Sequence, residues 1–395
     1  MRILWVATKA PWPAVDGGRL AAAVTLEALR AGGHEPTVVA PVHPRESDLA
    51  AATARREGWD RLVLVPTAPA PLAWAALRGS IGRLPVSVRR HALPKVRHAV
   101  AELLERECFD VAHAEQLQAL GPLAEAGQHH LPIVLRAQNV ESDLWRSASR
   151  TAPVLGLFLR REAKRLAAWE GDRVRRAAAT ITLTARDAAR LAELSGAPDR
   201  VHHVPAPFPS LLPPAESPLP GSPAVVLIGS EGWRPNREGA RWFVDRVWPR
   251  VRAALPQAVL HVFGLPVRAG AAVCARPAPN GSREAFAAGA VLVVPLRVAS
   301  GVRMKILEAW ARGVPVVTTP EAAQGLEATD GRELLLAREP EEFALALRRL
   351  HEEPGLAAAL VAAGRDRLTA RHGPGAVAAR LVEVYASVLS GPDVR

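Results

Sequence analysis

With two cysteines in 395 residues, Cys108 and Cys274, the sequence has no material for a disulfide framework. Neither cysteine has metal-ligand spacing around it, so a structural zinc site is excluded and a reducing, cytoplasmic compartment fits. Long apolar runs are missing too. No stretch of about 18 apolar residues is present to span a membrane, and the opening MRILWVATKAPWP is too short in its apolar part for a secretory signal. Tyrosine occurs once and methionine twice; this scarcity reads as coding preference and carries no function. Between Arg61 and Ala101 acidic residues are absent altogether.

What is present is globular: 49 % hydrophobic and 23 % charged residues, on a chain long enough for two cores. The formal net charge of +11 suits nucleic acid, an anionic membrane or a phosphate-bearing substrate. Its distribution narrows the choice. Arg61, Arg78, Arg83, Arg89, Arg90, Lys95 and Arg97 fill the acid-free stretch, interleaved with Leu72, Trp74, Leu77, Ile81, Leu84 and Val88. A second run holds Arg160, Arg161, Lys164, Arg165, Arg173, Arg175 and Arg176. Basic and apolar residues mixed in this way suit contact with an anionic membrane surface, and a solvated helix face explains either run without any function. No nucleic-acid reading motif accompanies them, so nucleic acid is not an expected partner.

Short apolar strands alternate with amphipathic helices along the whole chain. Strand Arg2–Ala7, the turn PWPAVDGGR, helix Leu20–Arg30, the stop Gly32-Gly33 and strand Pro36–Ala40 make a βαβ unit. Further strands are predicted at Arg61–Val65, Asp110–His113, Ile133–Arg136 and Ala179–Leu183. The segment from Pro205 to Pro223 holds eight prolines and breaks the series; a second α/β series starts at Ala224. The expected organisation is an N-terminal domain over 1–208, a linker over 209–223 and a C-terminal domain over 224–372. A final helix over 373–395 packs back on the first domain. Two such α/β domains form a cleft, a common place for a ligand.

The most informative stretch runs from Val291 to Thr319, VLVVPLRVASGVRMKILEAWARGVPVVTT. A strand ends at Pro295 and a helix is predicted to start near Ser300-Gly301, where free N–H groups and the macrodipole make an anion site. Arg303 and Lys305 add two cations, Gly301 leaves room for close approach, and Glu308 lies two turns on, placed for ribose hydroxyls. A diphosphate held there needs no metal ion. This stretch resembles the C-terminal signature of glycosyltransferase family 4, the retaining GT-B enzymes. Glu308-Ala309-Trp310-Ala311-Arg312-Gly313-Val314-Pro315 fits the second half of its two-glutamate motif, while Ser300 stands where the first glutamate belongs. A branch with Gly-x-Arg-x-Lys in this place fits Gly301, Arg303 and Lys305.

The resemblance extends along most of the chain. The family's glycine-rich loop maps onto Asp16-Gly17-Gly18-Arg19, and its His-Asn-Val-Glu onto Gln138-Asn139-Val140-Glu141. A Gly-Ser-x-x-Trp-x-Pro-Asn segment maps onto Gly229 to Asn236. It implies two Rossmann-like GT-B domains facing each other across a cleft, and metal-independent transfer from a nucleoside-diphosphate sugar with retention. Arg303, Lys305 and His113 are the implied catalytic candidates. Gly17, Gly18, Ser230, Arg234, Ser300, Gly301, Val302 and Glu308 are placed on the donor side, and Asn139 and Glu141 on the acceptor side. No cofactor is expected. The acceptor is a glycan, a lipid-linked sugar or a small aglycone. A nucleotide-sugar epimerase and a non-catalytic nucleotide-sugar-binding protein stay open as alternatives.

Overall fold

The structure is a computed structural model that describes residues 1–71, 84–125, 131–150, 155–279, 281–298 and 301–391. Ser300 lies outside the described residues, as do Arg78, Arg83, Leu72, Trp74, Leu77 and Ile81 of the first basic stretch. The chain divides into two compact units. One comprises Met1–Pro207 and Pro374–Arg395, the other Phe208–Gly373. Both are α/β, and every pairing between the named strands is parallel.

The first unit holds β1 (Arg2–Ala7), β2 (Glu35–Val42), β3 (Leu62–Pro66), β4 (Val111–Glu115), β5 (Ile133–Ala137), β6 (Ala179–Thr182) and β7 (Val201–His203), in the order β3-β2-β1-β4-β5-β6-β7. Continuous apolar runs such as Ile3, Leu4, Trp5 and Val6, each fully buried, form strands here because helices cover both sheet faces. Order reverses between β1 and β4. The helix Gly17–Ala31 starts at the β1 end, where Arg19 N–H donates to the Asp16 side chain at 2.9 Å. Asp16 thereby satisfies one of the free donors of the first turn. The helix Pro374–Leu389 closes this core, burying Val377, Leu381 and Tyr385 with Trp5, Leu26 and Leu29.

The second unit holds β8 (Ala224–Ile228), β9 (Val259–Phe263), β10 (Val273–Arg276), β11 (Ala290–Val294), β12 (Val316–Thr318) and β13 (Leu335–Leu336), in the order β10-β9-β8-β11-β12-β13. Here the order reverses between β8 and β11. The proline-rich segment is pinned to this unit rather than standing clear of it. Leu212 N–H donates to Ala311 O at 3.1 Å and Ala215 N–H to Phe286 O at 2.9 Å. Gly313, at φ +76°, ends the helix Met304–Arg312 in a left-handed conformation that only glycine adopts without strain.

Candidate functional site

In open parallel sheets the loops at a reversal of strand order splay apart and leave a crevice beyond the strand ends. In the second unit that place is the carboxyl ends of β8 and β11, and the loops and helix that follow them carry Ser230, Gly301, Val302, Arg303 and Lys305. Gly301 has φ +68°, and Arg303 has φ −85° and ψ +86°. Neither is helical, so the helix starts at Met304, later than Ser300-Gly301 as the sequence predicts, and the free N–H groups belong to its own first turn. Gly301, Val302 and Arg303 form the loop leading into it.

Arg303 lies with its guanidinium carbon 4.9 Å from the ring centre of Trp233, a cation–π contact that ties the β11 loop to the β8 loop. Lys305 is half-buried and donates to Ile228 O at 2.5 Å and to Asn236 Oδ1 at 3.3 Å. Burial, reinforced by the Arg303 charge, pulls its pKa down to about 7. Two basic side chains therefore sit side by side at the start of this helix, which suits an anion. Asn236, 6 % exposed, also donates to Ser230 O at 3.2 Å, and Gly229 is needed because a Cβ there would lie 2.8 Å from Asn236. Trp233 touches Arg303 and Asn236 touches Lys305, and in the sequence both belong to the Gly229–Asn236 segment. Ser230 is exposed at the loop tip. Arg234 faces along its own helix, with Nε 2.6 Å from Glu238 Oε1, so its charge is already engaged.

Glu308 is 9 % exposed. Its Oε1 accepts from Ser282 Oγ at 2.5 Å and Arg312 Nε at 2.8 Å, a clamp that fixes the carboxylate. Arg312 was legible as an i,i+4 partner on the same helix; Ser282 was not.

In the first unit, a cavity of about 400 Å³ opens at the carboxyl ends of β1, β2 and β3, with Thr8, Lys9, Trp12, Arg19, His43 and Gln116 among its walls. Lys9 Nζ holds both Asp16 carboxylate oxygens at 2.8 Å. Gly17 and Gly18 open the adjoining helix, and a Cβ on Gly18 would lie 2.7 Å from Gln138 Oε1. Asn139 is half-buried in the turn after β5, and Glu141 starts the next helix. The Glu141 backbone N–H is capped by Glu170 Oε1 at 2.9 Å. Burial raises the pKa of Glu141 and pushes that of Glu170 up to about 7.

His113 does not reach this cavity. It is fully buried, stacked on Trp5 at 3.7 Å between ring centres, and held by Tyr385 Oη at 2.7 Å and Glu115 Oε2 at 3.2 Å. Burial lowers its pKa to about 4, against the opposing pull of Glu115. The expected proton-shuttling or acceptor-contacting role is corrected to a place in the core, because the side chain in the middle of β4 points into the sheet packing. Glu115 and Gln116 are the residues that β4 delivers to its end.

Among the described residues no three His, Cys, Asp or Glu side chains gather as a metal-binding group, and no helix is long and apolar enough to cross a membrane. The family model for a glycosyl transferase 4-like domain matches residues 16–207, and that for glycosyl transferases group 1 matches 222–353. No curated protein matches the chain by sequence. Among solved structures, HepE of Anabaena in complex with UDP and glucose is similar at a TM-score of 0.66 and 14 % identity, covering 98 % of this chain and 100 % of its own. Sucrose-phosphate synthase from Thermosynechococcus elongatus is similar at 0.70 and 17 %, covering 99 % and 100 %. The pneumococcal O-GlcNAc transferase GtfA, in complex with UDP and GlcNAc, is similar at 0.68 and 10 %, covering 99 % of each chain. The fold is that of the GT-B glycosyltransferases.

Proposed function

We propose a reaction for a chain whose two halves belong to the glycosyl transferase 4-like and glycosyl transferases group 1 families: transfer of a sugar from a nucleoside-diphosphate donor to an acceptor, with retention and without a metal ion. The observation that carries this reading is the meeting of Arg303, Lys305 and the first turn of the Met304–Arg312 helix where β8 and β11 end. As the bond from the sugar to the diphosphate breaks, charge grows on the departing oxygen. Two cations and a helix N-terminus oppose that charge in the place of a metal. The leaving phosphate then takes the acceptor hydroxyl's proton on the same face of the sugar, so no protein base is required and the burial of His113 is no obstacle. Glu308 is assigned to the ribose hydroxyls. The cavity beside Thr8 and Gln116 is assigned to the acceptor, and UDP and glucose, held by HepE, are the first ligands to try.

The exposed face carrying Leu155 and Leu157 (60 % and 81 % exposed) and the basic Arg160, Arg161 and Lys164 is assigned to peripheral contact with an anionic membrane. Arg173, Arg175 and Arg176 do not extend that face; all three surround Asp172.

The test is calorimetric titration of nucleoside diphosphates and their glucose conjugates, with magnesium and with EDTA, on the wild type and on Arg303→Gln/Lys305→Met. Magnesium-independent binding and turnover, both lost in the double variant, is the expected result. Normal turnover in that variant would refute the diphosphate assignment.

A further inference from the structure

The hydrogen bonds around Glu115 run in one direction. Glu115 is 3 % exposed, and Arg136, 1 % exposed, donates Nε to its Oε2 at 2.8 Å with Nη2 equally close. Burial pushes this carboxyl up, but the Arg136 charge, the His113 contact and the Arg136 hydrogen bond together more than offset it and hold the group below its usual range, so the carboxyl is ionised. An ionised carboxylate only accepts. Every polar group that meets it must turn a hydrogen toward it.

On one side, His113 must turn an Nε2 hydrogen toward Glu115, which leaves Nδ1 of the neutral ring to accept from Tyr385 Oη. On the other side, Gln138 turns its amide nitrogen to Glu115 Oε1 at 2.7 Å. That contact fixes which way the Gln138 amide lies. Its carbonyl then faces Gln116, which donates through Nε2 at 2.9 Å. The Gln116 carbonyl is left for Thr8, whose hydroxyl gives it its one hydrogen. Only lone pairs remain on Thr8 Oγ1, and Thr8 and Gln116 both line the first unit's cavity.

We infer that Glu115, acting through Gln138 and Gln116, presents Thr8 to the cavity as a hydrogen-bond acceptor, so that this wall selects an uncharged, hydroxyl-bearing ligand such as a sugar ring. Thr8 is the specificity-determining residue; Glu115, Gln138 and Gln116 are positioning residues. The cavity's charge agrees. Lys9 is countered by Asp16, and Arg19 lies 3.5 Å from Asp16 and 4.0 Å from Glu46. The cations Lys9 and Arg19 in these walls are thus each paired with a carboxylate, and a hydroxyl finds an acceptor in Thr8. The inference rests on the assignment of this cavity to the acceptor.

Two measurements test it on the full chain. In the first, methyl glucoside and its singly deoxygenated and singly O-methylated forms are titrated by ligand-observed NMR into the wild type, Thr8→Ser and Thr8→Val. One ring position is expected at which both losing the hydroxyl and methylating it weaken binding about tenfold. Thr8→Ser keeps that pattern and Thr8→Val erases it. An O-methylated form that binds like its parent at every position, an unchanged ranking in Thr8→Val, or no binding by any probe overturns the inference. The second measurement needs no ligand. Side-chain amide NOEs are expected to place the Gln116 NH2 against Gln138, and to shift it toward Thr8 in Glu115→Gln, where the relay can reverse. A wild-type Gln116 NH2 lying against Thr8 overturns the relay even if Glu115→Gln does not fold. Nucleotide-sugar turnover by the wild type is scored separately. Its absence with the NOE pattern intact removes the reaction and keeps the relay, and turnover with the opposite pattern does the reverse.

Discussion

At the scale of single residues, Lys305 and Glu308 make the sharpest predictions. The pKa of Lys305 falls from 10.5 to about 7 on folding. Between those values the unfolded chain holds a proton that the folded chain lacks, so this group's contribution to stability rises with pH across that window. Diphosphate binding has the opposite sign, since the anion favours the charged lysine. Binding at pH 8 is expected to take up a proton, read by calorimetry in two buffers of different ionisation enthalpy, and affinity is expected to fall as the pH climbs above about 7. Lys305→Met should bind without that uptake; a wild type that takes up none speaks against contact between Lys305 and the diphosphate. Glu308→Ala should weaken nucleoside-diphosphate binding by about 1–3 kcal/mol, the cost of a lost charged hydrogen bond. Equal affinity in that variant removes the ribose assignment.

At the scale of elements, the sequence was most readable where the chemistry is local. Gly313-Val314-Pro315 announces a helix end and a buried strand, because a left-handed residue there must be glycine and a proline does not continue a helix. The alternation of strands and helices likewise gave two parallel α/β domains. The start of the Met304–Arg312 helix was misplaced because Gly301 was read as part of its first turn, whereas its positive φ keeps it outside. Two-residue β13 and three-residue β7 carry too little pattern to be seen. His113 was misread because what decides its role, Tyr385, lies 272 positions away. Gly18 offers a prediction at this scale. A methyl group there meets Gln138 Oε1 at 2.7 Å, while alanine suits a helix better than glycine. Gly18→Ala should therefore melt within a few degrees of the wild type yet turn over about tenfold more slowly, as paired melting and turnover assays would reveal. Wild-type turnover would mean that Gln138 moves aside at no functional cost.

At the scale of the whole molecule, the first unit is discontinuous in sequence and the second is not. Leu381 is fully buried among residues of β1 and the Gly17–Ala31 helix, so Leu381→Ala should cost about 2–5 kcal/mol. Denaturation followed by Trp5 and Trp59 fluorescence should report that loss in the first unit, with the second unit's transition unmoved. Equal losses in both transitions would argue that the units unfold as one.

The same discontinuity orders events on the ribosome. At about 5–20 residues per second, the Phe208–Gly373 unit is fully synthesised while its predecessor still waits for the helix that completes its core. The half that is translated first is finished last, and a ribosome that stalls late leaves behind an intact second unit tethered to an open sheet, a natural client for a chaperone.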